Sequence, residues 1–339
     1  MARYALHRIA GGIPIIFVIV LTVFILLRLV PGSPINALLP DDATPQQIRE
    51  LTARYGLDDP IMVQFGRYLI AAAQLDFGTS IRYNVPVSTL ISQRLPVTFE
   101  LAVAASIIAL LIGLPLGILS ARRHGTWLDR VATGAGLFGI SAPSFWIGLM
   151  LVLYLGGRLG WFPTGGQLPS SVVDPGPTGF VAFDMIVHGN FAGLATALHY
   201  LVLPALTMGA AMAGLLVRMT RSSLLEVIRE DYVRTARAKG ANEWTVTVRH
   251  AMRNALLPVV TVFGLELAGV LAGSIIVENV FAWPGLGNLL LTAVSARDYP
   301  VVQGCVLVFG VIFVVVNLLV DLSYRVLDPR IKGRDGGIA

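Results

Sequence analysis

Charge is scarce in this 339-residue chain: 13% of its residues are Asp, Glu, Lys or Arg, and 55% are hydrophobic. A soluble domain carries about 25% charged residues, so a largely water-facing surface is excluded. Lysine is almost missing, with Lys239 and Lys332 set against 23 arginines. Neither lysine follows a glycine, so no G-x-x-x-x-G-K-[ST] phosphate cradle exists here. Cys305 is the single cysteine. It excludes an internal disulfide and offers no metal spacing. In its apolar run it reads as a small packed hydrophobe. H-E-x-x-H and Cys/His clusters are absent too, and the G-x-x-x-G pairs have no βαβ surroundings. These absences exclude the usual signatures of a hydrolase, an ATPase and a dinucleotide enzyme.

Apolar runs are plentiful, and mean hydropathy is +0.74. A membrane span needs about 20 apolar residues. Runs of that kind cover 9–30, 99–120, 131–155, 200–217, 258–280 and 301–320. The first is too long for a signal peptide, and Pro31-Gly32-Ser33-Pro34 is not a small-residue cleavage site. Arg28, near its outer end, can snorkel. The expected class is an all-α polytopic membrane protein with six transmembrane helices.

Orientation follows from Lys and Arg. Segments 1–8, 121–130, 218–257 and 322–339 hold 17 of them, while 31–97, 156–198 and 282–300 hold 7. The richer, shorter set is expected in the cytoplasm, with both termini inside. This pattern also accounts for the net charge of +5 without nucleic acid as a partner. The expected organisation is a cytoplasmic N-terminus and first span (1–30), an extracytoplasmic loop (31–96), a core (95–328) and a cytoplasmic tail (329–339).

Local signals refine this. Thr44-Pro45 opens a helix in the first loop. Leu95-Pro96 opens the second span, with Glu100 at its outer end. Gly113 and Gly117 suit close helix contact, as do Gly269 and Gly273. Pro115 is expected to kink its helix, Pro204 lies in the fourth span, and residues 141–146 to break the third span. The short apolar stretch 180–186 reads as interfacial. His188 and His199 lack ligand-spaced partners. Glu278 and Asp321 fall near span ends and read as interfacial. Glu266 lies within a span, where a carboxylate is costly. It either lines a translocation path or is protonated or paired at a subunit interface.

Residues 222–257 are charged and helix-prone between apolar runs. Leu225, Ile228, Tyr232 and Ala236 recur at helical spacing, and Glu230 precedes Arg234 by four. Gly240 follows a basic turn, as past a helix C-terminus. Asn242 can cap the next helix, with Glu243 in its first turn. Two short helices joined by a small-residue elbow, 238–241, are expected. Pattern alone leaves open an ordinary amphipathic hairpin or a docking element.

The residues DYVRTARAKGANE, followed by RHAMRNALLPVVT, resemble the cytoplasmic coupling loop of binding-protein-dependent ABC importer permeases. The nearest subclass is the dipeptide/oligopeptide/nickel permeases, first permease subunit type. Arg234, Thr235 and Ala236 stand where the general family has Glu-Ala-Ala, and Leu257-Pro258 comes several residues late. Both departures are those of the peptide subclass. RYGLDDP, DFGTS, SAPSFWIGL, LPALTMG, FAWPGLGNLLLTAV and RDYPVVQG extend the resemblance over nearly the whole chain.

The resemblance implies a type I ABC importer permease fold in a bacterial cytoplasmic membrane. It implies partners: a second, related permease chain, two ATPase subunits and an extracytoplasmic substrate-binding protein. ATP and Mg would be held by the ATPases, with no cofactor on this chain. Tyr232, Ala236, Ala238, Gly240 and Ala241 would then shape an ATPase dock. Glu230, Asp231, Arg234, Thr235, Arg237, Lys239 and Asn242 would supply its polar rim. The cargo implied is a di- or oligopeptide, with nickel or another small solute as the alternative within the family. An ion-coupled carrier or channel is the alternative outside it, and it needs several ionisable residues inside spans.

Overall fold

In hydrocarbon every backbone N–H and C=O must be paired within its own segment, so the apolar runs become long helices. The computed structural model describes residues 2–29, 44–54, 58–169, 172 and 176–327. Residues 31–43, 55–57 and the tail 329–339 lie outside the described residues, as do the surroundings of Gly273 and Asp321. Among the described residues there is no strand, only an isolated bridge between Thr79 and Pro86.

The helices are α1 (Ala2–Leu29), α2 (Pro45–Arg54), α3 (Ile61–Ala73), α4 (Val87–Arg122), α5 (Trp127–Ser141) and α6 (Ser144–Leu151, widening into a π-type segment Val152–Arg158). Then follow α7 (Val181–Val187), α8 (Phe191–Val227), α9 (Asp231–Ala238), α10 (Glu243–Thr245), α11 (Met252–Val280), α12 (Leu286–Ser295) and α13 (Tyr299–Leu327). Among the described residues four stretches are long and apolar enough to cross a membrane: Gly11–Leu29, Val87–Arg122, Phe191–Val227 and Tyr299–Val320. The pair α5–α6 adds a fifth if it is one broken span, bent by 108°. The break falls at Ala142-Pro143, within the expected stretch, because Pro143 cannot continue the ladder of α5. The fifth expected span lies within α11, a helix of 29 residues.

Helix α8 is the axis. It packs along α4, α5, α6, α7 and α11, and small residues let the backbones approach. A methyl built on Gly209 would stand 2.7 Å from the Ala105 carbonyl oxygen of α4, and one on Gly139 2.7 Å from that of Ala210. Gly113 and Gly117 lie against Leu216 and Thr220, the close contact their spacing predicts. The companion pair has one described member, Gly269, and it makes no close contact within this chain. A methyl there would meet nothing within 4 Å, and among the described glycines of α11 the close one is Gly264, against Val320 of α13. Spacing shows small residues, but the neighbour decides which face they serve. The main apolar core joins α4, α8, α11 and α13 around Leu101, Leu203, Met212, Leu216, Phe281 and Trp283.

The second span starts earlier than Leu95-Pro96 predicts. Helix α4 begins at Val87 and runs through Pro96 and Pro115 without interruption. Its extra turns are held by packing: Val87, Leu90 and Ile91 are buried against Leu286, Val301 and Cys305. Outside the core, Phe65 and Tyr68 of α3 pack on Phe24 of α1. Arg28 lies over the Phe24 ring and donates to Gln64 Oε1 at 2.6 Å. Thr44 and Gln47 bond each other across the first turn of α2, as its opening residues predict. Val181 and Met185 of α7 bury against Ala197 of α8. Residues 180–186 are therefore a short packed helix rather than a crossing.

Candidate coupling hairpin and buried carboxylates

The charged stretch forms a hairpin between α8 and α11, but not along the predicted face. Helix α8 ends at Val227, and Glu230 turns extended (φ −67°, ψ 146°) before α9 starts at Asp231. Leu225, Ile228, Tyr232 and Ala236 therefore do not share one helix. The inward face of α9 is Val233, fully buried, and Ala236, 9% exposed. They pack on Ala121 at the end of α4, Leu224 of α8, and Met252 and Ala255 of α11. The Ala236 methyl thus faces this chain rather than a partner.

The outward face carries Glu230, Asp231, Arg234, Thr235, Ala238, Lys239, Gly240 and Asn242, all exposed. Tyr232 is 40% exposed, and its hydroxyl accepts from Asn254 Nδ2 at 2.9 Å. At the elbow Gly240 takes φ +83°, the left-handed conformation that closes a helix. The Ala241 N–H donates to the Ala236 carbonyl at 3.3 Å. Asn242 Oδ1 caps the next helix by accepting from Thr245 N at 2.8 Å. Arg237 pairs with Glu243 across the elbow at 2.9 Å, and Arg234 lies 3.6 Å from Asp231. Such exposed pairs contribute about 0.2–1 kcal/mol, so packing of Val233 and Ala236 holds the hairpin.

The second arm is not a separate short helix. Helix α10 passes through a widened turn, Val246–Ala251, directly into α11. Sequence reasoning passed over Trp244, which is 59% exposed with the Arg122 guanidinium 5.1 Å from its ring centre. A large aromatic in a charged stretch was the available signal.

Glu266 is half-buried on α11, and no ion pair or hydrogen bond among the described residues includes it. Open space flanks Gly269, one turn on. Among the described residues, no helix of this chain closes over Gly269 on this face of α11.

Glu278 corrects an expectation. It is not interfacial but wholly buried. Its carboxylate accepts from Thr98 Oγ1 of α4 at 2.7 Å, from Asn288 N at 2.9 Å, and from Gly287 N and Ser274. Thr98 Oγ1 in turn accepts from Leu286 N at 2.8 Å. The carboxylate therefore closes the first turn of α12 and ties it to α4 and α11. Side chains on Gly285 or Gly287 would run into it, which explains both glycines of WPGLGN. Asp298 does the same for the first loop, accepting from Ser80 Oγ at 2.5 Å and from Ile81 and Arg82 N–H at 3.1 Å. Glu278→Ala strands these buried donors, each at about 1–3 kcal/mol. Detergent-purified Glu278→Ala should melt well below the unaltered chain, with Glu278→Gln between them. Equal melting of the two variants would contradict the cap.

Comparison with known proteins agrees with this architecture. Residues 113–333 match the family model for the binding-protein-dependent transport system inner membrane component, and residues 1–102 match its N-terminal companion. The chain is 41% identical over 334 residues to the dipeptide transport system permease protein DppB of Alkalihalophilus pseudofirmus, covering 98% of this chain and all of that one. It is 41% identical over 334 residues to the oligopeptide transport system permease protein AppB of Bacillus subtilis, with the same coverage. It is 40% identical over 336 residues to DppB of Escherichia coli, covering 98% and 99% of the two chains. Its fold is similar to a chain of the MetNI methionine ABC transporter in two inward-facing crystal forms, with TM-scores of 0.51 and 0.53 at 18% and 19% identity. Each match covers 70% of this chain and 96% of the other. The fold is that of a type I ABC importer permease. By family model and full-length identity together, the chain belongs to the inner membrane components of binding-protein-dependent transport systems.

Proposed function

We propose that this chain is the path-forming and coupling subunit of an ATP-driven importer of di- and oligopeptides. The observation that carries this is identity of about 40% over 98% of the chain to permeases of dipeptide and oligopeptide systems.

In this reading α1, α4, the bent α5–α6 pair, α8, α11 and α13 are six crossings with both termini in the cytoplasm. The distribution of positive charge supports that orientation. The hairpin 222–257 then faces the cytosol, where a separate ATPase subunit docks on Glu230, Asp231, Tyr232, Arg234, Thr235, Ala238, Lys239, Gly240 and Asn242. Ala236, Arg237 and Ala241 support that surface from within or from its edge. Residues 95–328 form the permease core.

A second, related permease completes the path, two ATPases hold ATP and Mg, and an extracytoplasmic binding protein delivers cargo. Nucleotide binding favours one conformer of the paired permeases, and the hairpins carry that bias to the helices. Glu266, on the face of α11 that is open at Gly269, lines the path.

The test is gentle purification of the tagged chain in mild detergent, then reconstitution in liposomes. A second permease and P-loop ATPases should accompany it, and ATP-dependent uptake should favour peptides over nickel. A lone, ATP-independent chain would sink the importer reading. Nickel uptake without peptide uptake would replace the cargo.

A further inference from the structure

Asp129 is a charged group that neither the path nor the ATPase dock uses. It lies in the first turn of α5, yet its side chain is only 5% exposed. Polar groups converge on it from α4, the α4–α5 connection, α5 and α8. Ser120 Oγ of α4 donates at 2.5 Å and Gly125 N–H at 2.9 Å. His124 Nδ1 lies 3.1 Å away, and Thr133 Oγ1 of α5 at 3.4 Å. Arg221 of α8 adds a fork, Nε at 2.7 Å and Nη2 at 3.0 Å. A bidentate guanidinium–carboxylate pair is both strong and directional.

Its place in the chain gives the pair its meaning. Arg221 lies in the last turns of α8. One turn on, Leu224 packs with Val233 and Ala236 of α9. The end of α8 therefore grips the hairpin on one side and the α4–α5 connection on the other. Farther along, α5 and α8 meet through small residues: Gly136 against Gly214, and Gly139 against Ala210. Such smooth faces pack closely but supply little to stop one helix sliding along the other.

We infer that Asp129 and Arg221 are positioning residues that lock the start of α5 to the end of α8, so that hairpin movement reaches the bent α5–α6 pair instead of being lost as slip. This rests on the reading of the hairpin as the ATPase dock. The coupled quantity is uptake per ATP hydrolysed.

The experiment uses the complete importer in liposomes with a dipeptide as probe. Asp129→Asn should assemble with its partners and hydrolyse ATP near the normal rate, while uptake per ATP falls about tenfold, within the usual range of coupling effects. Arg221→Lys, which keeps the charge but not the fork, should retain an intermediate ratio. Because a lone buried charge is destabilising, the double variant Asp129→Asn with Arg221→Gln removes both charges together. It should assemble and lose no more coupling than the single variant. An unaltered ratio in Asp129→Asn or in the double variant overturns the inference. So does a double variant that cannot assemble, since the pair would then be needed for folding rather than coupling. An unaltered importer that lacks ATPase partners sinks the importer reading instead. A working unaltered importer beside fully coupled variants sinks only the lock.

Discussion

Ala238→Trp is expected to leave the chain inserted and folded but to uncouple ATP hydrolysis from uptake by about one to two orders of magnitude. Ala238 is the last residue of α9 and is exposed, two residues before Gly240 with its φ of +83°. Ala238 is exposed, so an indole there can extend into solvent and stability should barely change. It would, however, stand on the surface proposed to receive the ATPase. Overpacking a fitted contact costs about 1–3 kcal/mol, and each 1.4 kcal/mol is about tenfold in occupancy. Uptake per ATP should therefore fall by one to two orders of magnitude, measured on reconstituted complexes beside co-purification of the ATPases. Normal substrate-stimulated uptake would falsify the docking role of the elbow. Ala236→Trp should behave differently. Its site is buried against Ala121 and Met252, so it should lower the yield of folded protein first.

Gly214→Leu should produce the largest structural loss. Gly214 faces Gly136 so closely that an added methyl would enter the carbonyl of Gly136 and also reach Ile140 Cγ1 at 3.1 Å. Backbone cannot rotate away as a side-chain end can, so α5 must separate from α8. The expected cost is at or above the upper end of the usual overpacking range, about 3 kcal/mol. Stable protein in detergent should nearly disappear. Gly134→Leu is the matched control, because a methyl at Gly134 meets nothing within 4 Å of this chain. Similar yields for the two would contradict α8 as the packing axis.

How far the sequence could be read depended on the range of the interaction. The apolar runs, the Ala142-Pro143 break, the Gly240 turn and the Asn242 cap are local and were legible. Each depends on residues within one or two turns. The break at 228–230 was not, because periodicity alone cannot show that a helix stops between two well-spaced residues. The buried carboxylates were hidden for another reason. Glu278 meets Thr98, Asp298 meets Ser80, and Asp129 meets Arg221, across separations of 180, 218 and 92 residues. An acidic residue near a span end looks interfacial until its distant donors are in place. The hairpin was legible as a segment through its motif. Which of its residues face outward needed the packing of Val233 and Ala236.

Cys305 has a practical consequence. It is fully buried, enclosed with Val301, Val302 and Leu286, and no second thiol exists in the chain. Thiol reagents that stay in water therefore meet an almost silent background. A cysteine placed at Ala238 or at Arg82, both exposed, can be tagged selectively without first stripping the protein of native thiols. Spectroscopic rulers can then follow the hairpin and the opposite end of the bundle through a transport cycle in an otherwise unaltered chain.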